Sequence, residues 1–600
     1  MKMTTHEPVL DVRNLSVKLM SGNTWNTIVH PLSFSILPGE TLALVGESGS
    51  GKSVTANALL QLLPSSVCRL SGEINFGGQN LLSLSARQMQ AIRGNRIAMI
   101  FQEPMSSLNP VLTIGSQITE VLRKHRQLDT AAAKAEAIRL LDRVQIRSAA
   151  SRLNDYPLQF SGGMRQRVVI AIALACHPAL LIADEPTTAL DVTVQAEILQ
   201  LINTLRQEEK MSVLFITHDM GVVAEVADRT LVMNQGREVE TATTEQLFRQ
   251  PRQAYTRKLL SAVPKLGDMQ GILHPQPFHS PEIITQSTLR GNEPILRVNQ
   301  LSQRFPVREG WLQKVKAQID AVNQVTLHLY AGETLGLVGE SGCGKSTLAR
   351  TLTRLIKASD GEVILQNENL LKADRLQLEG MRRKIQLIFQ DPWESLNPRQ
   401  RVGDALAEPM LAHGLVPASE ISQAVAELLI NVGLSPDMAE RFPHQFSGGQ
   451  RQRICIARAL AVRPLILIAD ESVSALDVTV RAEVINLLME LQRKQGISIL
   501  FISHDMAVVE RISHRVAVMY QGRIVETGSR QAVFEHPGHS YTRHLLAAVP
   551  VADPQHKRSQ VVPYNTHNSQ RRDVSQALVP LVYREIGHQH FILESNQPVA

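Results

Sequence analysis

Cysteine is scarce. The 600-residue chain has four, Cys68, Cys176, Cys343 and Cys455, none in a CxxC pair. Zinc modules and iron–sulfur clusters therefore have no support, and scattered free thiols suit a reducing compartment. Long hydrophobic runs are also lacking. The most apolar stretch, Val168–Ala183, is shorter than the roughly 20 residues of a spanning helix and is interrupted by His177-Pro178. It reads as a buried helix followed by a buried strand, so the chain itself is not expected to cross a membrane. The opening residues, MKMTTHEPVLDV, lack the apolar core of a signal peptide. Neither sign of charge dominates: 62 Lys and Arg stand against 56 Asp and Glu, mixed along the chain, for a net charge of +6. That balance argues against a nucleic-acid partner and leaves an ordinary surface with some attraction for anionic lipid.

What the chain does have is a repeat. GESGSGKS at Gly46–Ser53 returns as GESGCGKS at Gly339–Ser346, and FSGG at Phe160–Gly163 returns at Phe446–Gly449. His218 and His504 lie 286 positions apart (504 − 218), as do Asp184 and Asp470. Even the peripheral PRQAYTRKLLSAVP at Pro251–Pro264 has a partner, PGHSYTRHLLAAVP at Pro537–Pro550. A match that reaches such residues implies duplication of a whole domain. The length, too great for one core, agrees. The expected division is residues 1–264, a linker over 265–292 containing Pro275, Pro277 and Pro281, a second domain over 293–552, and a polar tail over 553–600. The tail's short apolar pieces, ALVPLVY and HFIL, can form a strand or two.

Each unit carries the same chemistry-bearing residues in the same order. A G-x-x-x-x-G-K-S run after an apolar strand describes a phosphate-binding loop, with backbone N–H groups and a helix N-terminus facing the anion. The candidates are Gly46, Ser48, Gly49, Gly51, Lys52, Ser53 and Val54 in the first unit, and Gly339, Ser341, Gly342, Gly344, Lys345, Ser346 and Thr347 in the second. The lysines are expected on the β- and γ-phosphates of ATP, and the serine hydroxyls on Mg2+. Two strands buried on both faces, ALLIADE and LILIADE, would deliver Asp184 and Asp470 toward that metal. Glu185 and Glu471 then stand where a carboxylate can orient or deprotonate water. In FSGG, Ser161 and Ser447 look like helix caps, with Gly162, Gly163, Gly448 and Gly449 leaving N–H groups accessible. By itself this is either a second anion site or a simple capped helix.

Taken together, these motifs resemble the ATP-binding cassette family from about Val9 to Pro550. The resemblance implies an α/β fold of two tandem cassettes, each a P-loop core sheet with an antiparallel β subdomain and a helical subdomain. It makes SGG the signature motif and Gln102 and Gln390 the Q-loop glutamines, which join the metal set of Ser53, Asp184, Ser346 and Asp470. It makes His218 and His504 the switch histidines, catalytic with Glu185 and Glu471. It implies an intramolecular cassette dimer in which each ATP lies between one unit's phosphate loop and the other's signature. Phe305 is placed against adenine, with Leu19 at the matching position of the first unit. Cys343, just before a helix in the second loop, is expected to be a reactive thiol.

FQEPMSSLNP, FQDPWESLNP and the two YTR-x-LL-x-AVP segments are similar to the peptide and nickel importer branch of that family. This implies an ATPase energising import of glutathione or short peptides, with ATP and Mg2+ as cofactors. The implied partners are two integral-membrane permease subunits and a periplasmic solute-binding protein. The implied location is the cytoplasmic face of the cell inner membrane, as a peripheral protein. The alternative is a soluble tandem cassette ATPase acting on ribosomes or nucleic acid. A short, Pro-bearing linker and the lack of zinc modules or long coiled-coil insertions argue against it.

Overall fold

A computed structural model describes residues 7–103, 107–188, 190–278, 284, 288–289, 291, 293–309, 314–474, 476–555, 564, 571–573 and 581–594. Compactness divides the chain into two units. One holds Met1–Leu190, Val194–Val263 and Pro550–Val561; the other holds Asp191–Thr193, Pro264–Val549 and Val562–Ala600.

In the first unit a six-stranded sheet runs Arg237–Thr243, Arg229–Asn234, Thr41–Val45, Ser212–Thr217, Leu180–Asp184, Ile97–Ile100. Every neighbouring pair is parallel except the first. TLALV, SVLFIT and LLIAD are buried along their whole length, as central parallel strands covered on both faces must be. Register then sets the site. Val45 lies opposite Thr217, Asp184 opposite Ile216, and Ile100 opposite Ala183. The carboxyl ends of four strands are thereby level, the place where open α/β sheets bind ligands. A separate antiparallel sheet pairs Thr24–Ile36, Leu10–Ser21, Cys68–Phe76 and Gln79–Asn80. Helices Ile114–Arg126, Thr130–Arg143 and Gly162–Leu174 share a core built on Ile114, Ile118, Leu122, Leu140, Leu141 and Ile170. The apolar stretch Val168–Ala183 divides between the last of these helices and the strand Leu180–Asp184. Among the described residues, no helix is long and apolar enough to cross a membrane.

The second unit repeats this plan and enlarges it. Its parallel core runs Ile385–Ile388, Ile466–Asp470, Ser498–Ile502, Thr334–Val338, Arg515–Tyr520, and Arg523–Ser529 pairs antiparallel at the end. Two further strands, His590–Leu593 and Tyr583–Gly587, extend it to eight. Its antiparallel sheet likewise gains Arg571–Asp573 against Ala317, Gln318 and Ile319. HFIL is therefore a strand; most of ALVPLVY lies outside the described residues. The addition is anchored by His590, whose Nε2 is 2.7 Å from Glu526 Oε1, both side chains buried. The Tyr583 hydroxyl donates to the Ile524 carbonyl.

The segment read as an extended linker is, where described, packed on the second unit. Met269 and Phe278 are 2% and 4% exposed. The Gly267 N–H donates to Glu510, and Asn486 both accepts from the Phe278 N–H and donates to its carbonyl. Arg511 lies over the Phe278 ring at 4.6 Å. Arg530, itself buried, donates to the carbonyls of Met269 and Ile272. Pro281 lies outside the described residues. Proline excluded helix from this stretch but said nothing of a groove able to receive it.

Candidate nucleotide sites

The loop after Thr41–Val45 turns at Gly46, where a Cβ would stand 2.2 Å from the Met233 carbonyl oxygen. Gly51, at φ 98°, is the left-handed N-cap of the helix Lys52–Leu59. Gly339 and Gly344 repeat both features, with φ 112° at Gly344 and a Cβ at Gly339 meeting the Met519 carbonyl at 2.2 Å. Only glycine fits such positions, and the result is a ring of backbone N–H groups at a helix start. Lys52 is buried and donates to the carbonyls of Gly46 and Glu47 at 2.8 and 2.9 Å. Lys345 does the same with Gly339 and Glu340 at 2.8 and 2.9 Å. Ser48, Gly49, Ser341 and Gly342 are exposed on the loops, and Val54 and Thr347 lie half-buried in the first helical turn.

The level strand ends bring the acidic and basic candidates together. Ser53 Oγ donates to Asp184 Oδ1, and Ser346 Oγ to Asp470 Oδ1, both at 3.0 Å. Gln102 donates to Glu185, and Gln390 to Glu471, both at 2.9 Å. His218 Nδ1 is 3.1 Å from Glu185, and His504 Nδ1 is 3.5 Å from Glu471. Both glutamates sit at left-handed φ, 48° and 47°. A non-glycine residue held there costs on the order of 1–3 kcal/mol, strain that collects at functional positions.

The carboxyls within each pair are pushed apart. Burial, reinforced by the charge of Glu185, raises Asp184 to about 6, and the hydrogen bond from Ser53 only partly offsets this. Burial also acts upward on Glu185, but the hydrogen bond and charge of His218, with Thr188 and Lys52, outweigh it and hold the carboxyl at about 2. In the second unit the directions are the same, Asp470 raised and Glu471 lowered. One carboxyl of each pair is thus ionised and surrounded by donors, and the other is held back by burial.

Sequence reasoning missed Thr188, whose hydroxyl donates to Glu185 Oε2 at 2.9 Å. The difference between DEPTT and DESVS was its signal. Ser474, at the matching position, donates instead to the backbone carbonyl of Glu471. Glu471 has Lys345 Nζ at 3.8 Å.

The signature residues cap their own helices. Ser161 accepts from the Met164 N–H and Ser447 from the Gln450 N–H, both at 3.3 Å. Gly162 and Gly448 are exposed. Gly163 and Gly449 press on Val194 and Val480, where a Cβ would meet a methyl at 2.5 and 2.3 Å. Phe305 lies in the strand Pro294–Glu309 and is 39% exposed, opposite Ile319. Leu19 is half-buried in the matching strand of the first unit.

The expectation for Cys343 is overturned. Its thiol is buried, and burial raises it to about 11 despite the charge of Lys345. The side chain belongs to a buried cluster with Leu337 and Leu348, and its sulfur lies 4.0 Å from Lys345 Nζ beneath the loop, away from water. Proximity to a helix N-terminus does not favour thiolate where water is excluded.

Comparison with known proteins agrees with this geometry. The chain matches the ABC transporter family over residues 29–188 and 322–474. It belongs to that family. Residues 239–291 and 525–574 also match the oligopeptide/dipeptide transporter C-terminal region. Over 569 residues the chain is 55% identical to the glutathione import ATP-binding protein GsiA of Escherichia coli (strain K12), covering 92% of this chain and 91% of the relative. The protein of the same name from Shigella boydii serotype 4 (strain Sb227) is 55% identical over 573 residues, with the same coverage. Among solved structures, a dimeric ATP-binding cassette in a post-hydrolysis state with ADP and Pi is 28% identical, covering 39% of this chain and 98% of that one, with a TM-score of 0.36. The two matched regions are two cassettes in one chain.

Proposed function

We propose that the chain is the ATP-hydrolysing subunit of an importer for glutathione or short peptides. It would work on the cytoplasmic face of the inner membrane with two permease subunits and a periplasmic solute-binding protein. The observation that carries this reading is the pair of buried, ionised glutamates, each between a glutamine and a histidine at the mouth of a lysine-bearing loop. The near full-length likeness to relatives named for glutathione import supports the solute class.

The oxygen donors Ser53 and Asp184, or Ser346 and Asp470, suit a hard cation, and Mg2+ held there would neutralise phosphate charge. The all-oxygen pairing, with no cluster of three or more metal-ligating His, Cys, Asp or Glu among the described residues, fits a metal shared with a phosphate. Lys52 and Lys345 would exchange their loop carbonyls for phosphate oxygens. Glu185 and Glu471 would orient and deprotonate the attacking water, with Gln102 and Gln390 fixing one carboxylate oxygen and His218 and His504 reporting on the γ-phosphate. Phe305 would stack on adenine. On the family resemblance, Ser447, Gly448 and Gly449 complete the site on Lys52, and Ser161, Gly162 and Gly163 the site on Lys345. ATP binding would then select a closed state and hydrolysis release it.

The test is uptake into vesicles holding this chain, its permease and its binding protein. ATP-dependent accumulation of glutathione or a short peptide, lost with Glu185→Gln plus Glu471→Gln, is the expected result. Co-purification with ribosomes or nucleic acid and no permease would overturn the reading.

A further inference from the structure

A cluster of tyrosines behind the second phosphate loop is used by nothing described so far. Tyr541, in the helix Ser540–Ala547, is fully buried. Its hydroxyl accepts from the Glu340 N–H at 3.1 Å. That N–H belongs to the peptide plane between Gly339 and Glu340, whose carbonyl, on Gly339, accepts from Lys345 Nζ at 2.8 Å. One rigid peptide is therefore held at its N–H by Tyr541 and at its carbonyl by the lysine expected on the phosphates. Around Tyr541, the ring of Tyr520 lies at 4.2 Å between centroids and that of Tyr564 at 5.4 Å, with Tyr520 and Tyr564 edge-on at 5.5 Å. The Tyr564 hydroxyl is 2.9 Å from Ser540 Oγ. Tyr564, from beyond residue 552, supplies the third ring and also lies 5.5 Å from the His544 ring. In the first cassette the position matching Tyr520 is Asn234 (520 − 286), so this three-ring arrangement belongs to the second.

We infer that Tyr541 is a positioning residue for the second ATP site: it fixes the Gly339–Glu340 peptide and so the carbonyl from which Lys345 moves to ATP, and Tyr564 holds Tyr541 in place. The inference rests on the reading of the second loop as an ATP site. An aromatic cluster restrains a ring better than a single contact does, and a planar peptide transmits the restraint from one edge to the other. Loss of the hydroxyl removes one hydrogen bond from the loop and leaves the ring packing intact.

The test is photolabelling of the intact chain with 8-azido-ATP, the label assigned to each cassette by peptide mapping. Tyr541→Phe is expected to weaken labelling of the second cassette by about threefold to tenfold, the range of one lost hydrogen bond, with the first unchanged. Tyr564→Ala is expected to act in the same direction and less. In the permease complex the apparent KM for ATP rises while kcat changes less than about twofold, the pattern of lost binding rather than lost chemistry. Unchanged labelling of the second cassette, or an equal drop in both, overturns the inference. Failure of the unmodified protein to label in either cassette would instead overturn the reading of the loops as ATP sites.

Discussion

The two cassettes treat one groove in opposite ways. In the second, the described residues from 267 to 278 pack into it, with Phe278 held by Asn486 and Arg511. In the first, Gln200 and Glu225 stand where Asn486 and Arg511 do (486 − 200 = 511 − 225 = 286), and there the structure has a cavity of about 620 Å3. Its lining includes Asn203, Arg206, Asp228 and Glu245, with Pro554 at its edge. The sequence differences explain the contrast. Arg530, which binds two carbonyls of the inserted segment, is Thr244 in the first cassette; Glu510, which takes the Gly267 N–H, is Ala224. Duplication preserved the glycine-rich loops and the strand ends beside them and let the backs of the cassettes diverge.

At the phosphate loops the comparison comes out near equality, and the largest expected effect tests that. Glu185→Gln and Glu471→Gln should each lower ATP turnover in the permease complex by about 10²-fold or more, as loss of a general base does. A steady-state ATPase assay checks it; one variant near the wild-type rate would break the equivalence. Next in size is Phe278→Ala. A buried phenylalanine cut to alanine costs about 3–5 kcal/mol, and the loss should fall on the second cassette. Limited proteolysis on heating should cut residues 264–291 and the second cassette first; earlier cleavage within the first would contradict the packing.

Thr188→Val sharpens the comparison within the sites. It removes a donor to Glu185 and should slow turnover by about threefold to tenfold, the range of one ordinary hydrogen bond, since other donors to the carboxylate remain. Ser474→Ala should do less, because its hydroxyl serves a backbone carbonyl. Matching losses in rate assays would remove the distinction. The smallest expected effect is none: with its thiol at about 11, Cys343 should resist a maleimide at pH 7.5, and thiol counting with mass mapping checks it. Its thiolate fraction rises only as pH approaches that value.

How much of this was legible follows physical lines. Local rules were readable. Glycine at positive φ, an N-cap serine and an unbroken apolar strand each leave a mark at one place, so the loops, the signature helices and the strands ending at Asp184 and Asp470 were visible. Two features that depend on partners far along the chain were not. The hydrophobic-poor segment after Pro264 has few apolar residues, and nothing local says that Phe278 would meet Asn486 and Arg511. Cys343 was misread for the converse reason: its helix-start position is local, but its burial among Leu337 and Leu348 is tertiary. The change from Met164 to Gln450 was visible in the letters, yet its meaning needed coordinates. Gln450 Oε1 accepts from the Ser447 N–H at 3.1 Å and closes a capping box, which methionine at 164 lacks the amide oxygen to form.

The strand His590–Leu593 has a consequence for how the molecule is made. It pairs with Arg523–Ser529, so that edge of the second sheet is covered by residues that leave the ribosome after the motifs of both cassettes. Until they emerge, that strand presents an unpaired edge, the kind of surface that recruits other chains. Glu526 meanwhile lacks the imidazole it holds in the finished fold. A premature stop a few codons before His590 would spare every glycine-rich loop and acidic strand end in both cassettes and still release a product prone to edge-to-edge aggregation.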